Sequence, residues 1–458
     1  MPKQRKTKKN KEKQRKQRKT KKNKAGGGIF ENIATKITNS YNDINESLKL
    51  RTICSDSNVC IAFGNENERI NDYFGNFVDF NYVNNLQTIG SSSVNGVIYE
   101  INYRRNFYNA YTVLKIPQNA RSDNLCYEYL VGKFINTKIK YYPCFLETYQ
   151  LYYKNDYIDS PKKLKNNLIK INEDEIINNC LNNDNLALLI QHIKSAISLY
   201  NFLDSNNNDL ENLANILYQI YFPLSMMASE FTHNDLHLGN ILLYTPVKGK
   251  YIHYYYYHYD INNQEQIVEF YSPYIVKIID YGRCYFNNPL NENDNSIFYF
   301  NEIIALKKQT RYKDFINNYG FSNLIDEKKN RSILINNQTI DLRILYHINE
   351  YMKVSYNRNK YKVTEIMRKF LNLNKYKYNK YNYFSDDSDD FIHNILDQGY
   401  PNSINNVKDA EKGLRNILMN DNYYKELLKT QHNIYKSKII GDLHIYAGNK
   451  DMVFAKNN

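Results

Sequence analysis

Short apolar runs between turn residues mark the chain from Leu86 onward. Leu86–Ile89, Val97–Tyr103 and Tyr111–Ile116 are rich in Val, Ile and Tyr and read as strands. Gly90-Ser91-Ser92-Ser93-Val94-Asn95-Gly96 joins the first two. Small residues with a glycine at each end let backbone N–H groups approach an anion, and they equally suit an ordinary turn. Ser122 or Asp123 is placed to cap a helix running to about Asn136. Cys144–Tyr153 is strand-like, residues 154–185 read as a polar Lys/Asn-rich insertion with a helix, and Leu186–Ile193 is apolar enough for a central strand. Leu213, Ile216, Leu217, Ile220, Leu224 and Met227 recur near helical spacing, with Pro223 predicted to kink that helix. An aliphatic strand, Ile241–Leu243, is followed by a Tyr-rich stretch over 244–274 that reads as a long hairpin, and then by a strand over Tyr274–Ile279.

Composition adds bounds. The 458 residues are 42% hydrophobic and 14% aromatic, enough to bury a core. There are 45 Tyr and no Trp, a skew that AT-rich codon usage explains, although stacked tyrosines also suit nucleic-acid bases. No apolar run is long enough to span a membrane. Six scattered cysteines with no C-x-x-C pair favour a reducing, intracellular compartment over a disulfide framework or a zinc site. Of 61 basic and 48 acidic residues, the first 24 positions hold 14 and one, which leaves 47 of each sign in the remainder. The body is therefore neutral and the tail carries the excess. That tail repeats Gln-Arg-Lys-Thr-Lys-Lys-Asn-Lys at 4–11 and 17–24, ahead of Ala25-Gly26-Gly27-Gly28. With almost no apolar side chains it is expected to be disordered over 1–28. Residues 3–24 suit contact with nucleic acid or another polyanion, a nuclear address, or a solubilising arm. Asp386-Asp387-Ser388-Asp389-Asp390 reads as a solvated loop or a dock for that tail.

The candidate chemistry centres on Phe231-Thr232-His233-Asn234-Asp235-Leu236-His237-Leu238-Gly239-Asn240. An Asp and an Asn five residues apart in a polar loop suit phosphoryl transfer: the Asp accepts a hydroxyl proton and the Asn reaches Mg²⁺ on the phosphates. Lys115 lies in the apolar strand Val113-Leu114-Lys115-Ile116, about 20 residues past the Gly/Ser loop. Glu128, 13 residues later, is a partner for it, with Glu147 a weaker candidate. The strand ending at Ile279 leads into Asp280-Tyr281-Gly282, an Asp placed to chelate a metal before a sharp turn. Asp341 reads either as a brace beneath the loop or as a helix N-cap. Gly441-Asp442-Leu443-His444 echoes the loop but lacks its Asn.

Taken in order, the Gly loop, strand Lys, helix Glu, H-x-D-L-x-x-x-N loop and D-Y-G resemble the protein-kinase-like superfamily over roughly 85–345. The Asn/Tyr insertions look like those of divergent kinase-like proteins of large DNA viruses, which would add virion or nucleus as locations. The resemblance implies an α+β, two-lobed fold with a small β-rich N-lobe (85–192) and a larger, mainly α C-lobe (193–400). An extension over 29–84 would precede them, and another over 401–458 would follow. It implies ATP and Mg²⁺ as cofactors and a Ser/Thr protein kinase activity. In that activity Gly90 and Gly96 bracket the phosphates, Lys115 contacts them and pairs with Glu128, and Asp235 is the catalytic base. Asn240 and Asp280 hold the metal, while His233 and Gly282 are structural. Two departures qualify the acceptor. Asn234 replaces the Arg that grips a phosphorylated activation segment, so activity is expected not to need that modification. His237 replaces a Lys, and no A-P-E follows. D-L-H-x-G-N looks closer to aminoglycoside and choline kinases, which makes a small-molecule alcohol the alternative acceptor. A pseudokinase binding nucleic acid through its tail is the reading from another class.

Overall fold

A computed structural model describes residues 60, 66–78, 80–89, 96–205, 209–259, 263–306, 318–321, 325–326, 331–354, 404, 406–448 and 450–456. The basic tail, Gly90 with the rest of the Gly/Ser loop before Gly96, and the acidic run at 386–390 lie outside these residues. The described residues belong to one compact unit.

Helix α1 (Glu66–Tyr73) leads into strands β1 (Val83–Thr88), β2 (Gly96–Arg105) and β3 (Tyr108–Pro117). Helix α2 (Leu125–Asn136) follows. Its cap is Asn124, whose side chain accepts from Tyr127 N at 3.0 Å, one residue past Asp123 and two past Ser122, the two predicted caps. Asn124 also donates to the carbonyls of Cys180 and Tyr319, bonds that depend on tertiary packing and so lie outside local pattern. Then come β4 (Thr148–Lys154), α3 (Pro161–Asn167), β5 (Leu168–Lys170) and β6 (Leu186–Gln191). Together they make a six-stranded antiparallel sheet in the order β1-β2-β3-β6-β4-β5. Every residue of β6 is buried, as its unbroken apolar run requires of an interior strand.

The second half begins with β7 (Ile197–Ser198), α4 (Leu199–Asp204) and α5 (Leu213–Met226). Helix α5 is buried all round and contains Pro223. Short strands β8 (Phe231–Thr232) and β9 (Ile241–Tyr244) flank the polar loop. The Tyr-rich stretch is a hairpin, as its pattern predicts: β10 (Tyr251–Tyr259) against β11 (Glu265–Ser272). Strands β12 (Ile275–Ile278) and β13 (Tyr285–Phe286) and helices α6 (Ser296–Ala305), α7 (Arg343–Val354), α8 (Val407–Asn420) and α9 (Asn422–Tyr435) follow. Strands β14 (Ile439–Tyr446) and β15 (Val453–Lys456) then join the hairpin in a four-stranded sheet, β11-β10-β14-β15. The β10–β14 pairing is parallel.

The tyrosines have a packing role beyond codon bias. Along β10, Ile252, Tyr254 and Tyr256 are buried. Tyr256 meets Tyr218 and Phe222 of α5 at ring-centroid distances of 5.0 and 4.7 Å. The alternate residues Tyr255 and Tyr257 stack instead with His444, 4.8 and 5.8 Å away, on the outer face.

The cysteines depart from the sequence reading. Cys126 in α2 and Cys180, just after a short helix at 176–179, form a disulfide with Cα atoms 5.1 Å apart. Their 54-residue separation hides the pairing from any local motif; both side chains enter one core. Cys144 and Cys284 are buried thiols. Among the described residues no helix is long and apolar enough to cross a membrane.

Candidate active site

Lys115 sits near the end of β3, opposite Ile98 of β2 and Leu188 of β6. Its Nζ lies 2.6 Å from Glu128 Oε1 and 2.8 Å from Asp280 Oδ1. Burial works against the ammonium charge, but Asp280 and Glu128 outweigh it and hold the pKa well above the ordinary lysine value. Glu128, in the first turn of α2, is buried; desolvation pushes it up to about 7 against the pull of Lys115. Asp280 stays partly exposed, and Lys115 beside it draws its pKa down to about 2. Glu147, the weaker candidate partner, bonds Asn71 instead, at 2.6 Å.

Two backbone positions shape this end of the site. Gly96 opens β2 opposite Pro117 with φ +154°, and an added Cβ would collide with the Ile116 carbonyl oxygen, so only glycine fits. Asp280 follows β12 with φ +73°, a left-handed turn that swings the chain toward α2. Gly282 then passes beneath that helix, its Cβ position 3.6 Å from Glu128 Oε2.

The polar loop is held from below by Asp341. One of its oxygens accepts from His233 N at 2.7 Å and the other from Asn234 N at 3.0 Å, so it braces the loop. Burial raises the Asp341 pKa to about 7, opposed by those two N–H groups. Asn234 takes φ +62°, a conformation Asn tolerates better than most residues. Its Nδ2 donates to the carbonyls of Arg283 at 3.0 Å and Ser332 at 3.3 Å. His233 is fully buried, and its Nε2 bonds the Ile279 carbonyl at 2.9 Å. Desolvation lowers its pKa and favours the neutral ring. Asn240 Nδ2 donates to the Asp235 carbonyl at 2.9 Å, and Ile279 N donates to the Asn240 carbonyl at 3.0 Å. These bonds set Asn240 beside the turn that carries Asp280. His237 accepts from Gly239 N at 3.1 Å and is likewise held toward neutrality by burial.

The Asp235 carboxylate is gripped by two arginines that sequence reasoning missed. Arg283 Nη1 lies 3.1 Å from Oδ2, and Arg343 Nη1 lies 3.0 Å from Oδ1. The only sequence signal was position: Arg283 directly follows D-Y-G, and Arg343 is two residues past Asp341.

No family model matches the chain. A 129-residue stretch, 26% of the chain, is 33% identical to a protein of Dictyostelium discoideum described as a probable serine/threonine-protein kinase. The chain spans 9% of that relative's length. A crystal structure of a kinase domain matches 45% of this chain and 52% of its own, with 16% identity and a TM-score of 0.25.

The chemistry available follows from the side chains. Lys115 offers a fixed ammonium to an anion. Asp280 and the Asn240 amide oxygen are hard oxygen donors of the type Mg²⁺ takes. Asp235 is a buried carboxylate whose orientation is set from two sides.

Proposed function

We propose that this chain is an ATP- and Mg²⁺-dependent phosphotransferase with a two-lobed, protein-kinase-like arrangement, acting on Ser or Thr hydroxyls of a protein. The observation that carries the reading is the Lys115 ammonium held between Glu128 and Asp280. The Asp235–Asn240 loop is tied to the same turn through Ile279. The partial match to a serine/threonine-protein kinase agrees with it.

In this reading Lys115 binds the α- and β-phosphates, and Glu128 aims it. Asp280 and Asn240 would hold Mg²⁺, which supplies neutralisation of phosphate charge. Asp235 orients the acceptor hydroxyl and takes its proton. Gly96, at the start of β2, lies against the phosphates, and His233 packs the loop without moving protons. Asn234 bonds the main chain of Arg283, so the segment after D-Y-G has a tether that needs no phosphate. His237, in place of a lysine, favours one second reading: a small-molecule alcohol as acceptor.

The test is purified protein with Mg²⁺ and ATP labelled at the γ-phosphate, offered acidic and basic protein substrates beside amino alcohols and aminoglycosides. Label on Ser or Thr is expected, falling about 10²-fold or more in Asp235→Asn. Label on the alcohols alone moves the acceptor to the second reading. Wild type that labels nothing, like Asp235→Asn, overturns the phosphotransferase itself.

A further inference from the structure

Helix α2 reaches the reaction centre twice. Glu128, in its first turn, holds Lys115. Asp123, just before the Asn124 cap, meets Arg283 Nη2 at 3.3 Å. The same guanidinium reaches Asp235 Oδ2 through Nη1 at 3.1 Å. Arg283 is fixed at its main chain as well, through the Asn234 side chain. All three side chains are mostly shielded: Arg283 is 23% exposed, Asp123 12% and Asp235 11%. A planar fork can bond two carboxylates at once in a set geometry, which a lysine ammonium does not reproduce.

We propose that Arg283 is a positioning residue that relays the placement of α2 to Asp235 by bridging Asp123 and the loop carboxylate. Arg343 holds the other oxygen of Asp235 from the start of α7, beside the Asp341 brace. One guanidinium therefore ties Asp235 to the loop's support and the other ties it to α2. A shift of α2 loosens the grip on Lys115 and the aim of Asp235 together, so nucleotide contact and acceptor orientation are set by one helix.

The inference rests on the phosphotransferase reading, and a double-mutant cycle on the full chain tests it. Asp123→Ala is expected to lower kcat about tenfold or more through misorientation of Asp235, with KM for ATP within about twofold, since the Lys115–Glu128 pair is untouched. Asp123→Glu should restore most of the loss. Arg283→Gln should lower kcat similarly, Arg283→Lys should not rescue it, and Asp123→Ala should then cost nothing further. Independent effects that multiply, or a rise in KM for ATP matching the fall in kcat, overturn the relay. Amide hydrogen exchange over residues 233–240 in the nucleotide-free protein gives a readout free of turnover. Asp123→Ala should speed it only when Arg283 is present, and equal acceleration in both backgrounds overturns the relay. If wild type transfers no phosphate, the functional reading fails while the exchange cycle still decides the relay.

Discussion

Asp341 shows how much one side chain beneath a loop can determine. Its two oxygens satisfy the buried N–H groups of His233 and Asn234, which the left-handed turn at Asn234 leaves without partners in a strand or helix. Asp341→Ala would strand both donors. The expected destabilisation is about 2–6 kcal/mol, measured as a shift in the urea midpoint, because each of the two unsatisfied buried groups costs about 1–3 kcal/mol. Asp341→Asn keeps one acceptor and should lose about half as much. Equal losses for the two variants would mean that the N–H bonds are not what the carboxylate contributes. The sequence offered a brace and a helix cap as equal alternatives here, and only the three-dimensional position separates them.

Elements carry a different kind of prediction. The hairpin meets α5 and α8 through His258, which contacts the Tyr218 hydroxyl and lies 3.5 Å from Glu411. Burial, with Arg415 nearby, lowers the His258 pKa from 6.5 to about 3. Below about pH 6.5 the unfolded chain therefore takes a proton that the folded chain refuses. This contribution to stability is fully present above 6.5 and is lost as pH falls toward 3. His258→Gln should flatten that limb: between pH 7.5 and 4 its thermal midpoint should drop less than that of wild type, and an equal drop would remove His258 from the account. Local pattern made the strands β2, β3, β6, β9 and β12, the helix α2 and the hairpin legible, because each has a period or an apolar run of its own. The residues of the Lys115–Glu128–Asp280 contact were legible through order and spacing. Asn124 as the cap, the Cys126–Cys180 pair and the two arginines on Asp235 were not, since each is chosen by a partner about 50 or more residues away.

At the scale of the molecule, β14 alternates buried and half-buried residues as a strand should, but its partner is not legible in local pattern. It lies between β10 and β15 and is parallel to the former. Its Leu443 and Ile445 are fully buried with Tyr254 and Tyr256. If the described residues unfold as one unit, Leu443→Ala should lower a single calorimetric transition by about 2–5 kcal/mol of stability. A separate early transition, with the main one unmoved, would show that this sheet melts alone. The pairing has a consequence for biosynthesis. Tyr257 meets its ring partner His444 across 187 residues of chain. A ribosome adding about 5–20 residues per second therefore takes about ten seconds or more to supply the strand that closes the edge of β10. Through that interval the nascent hairpin presents an unpaired strand edge, a row of N–H and C=O groups open to pairing with another chain.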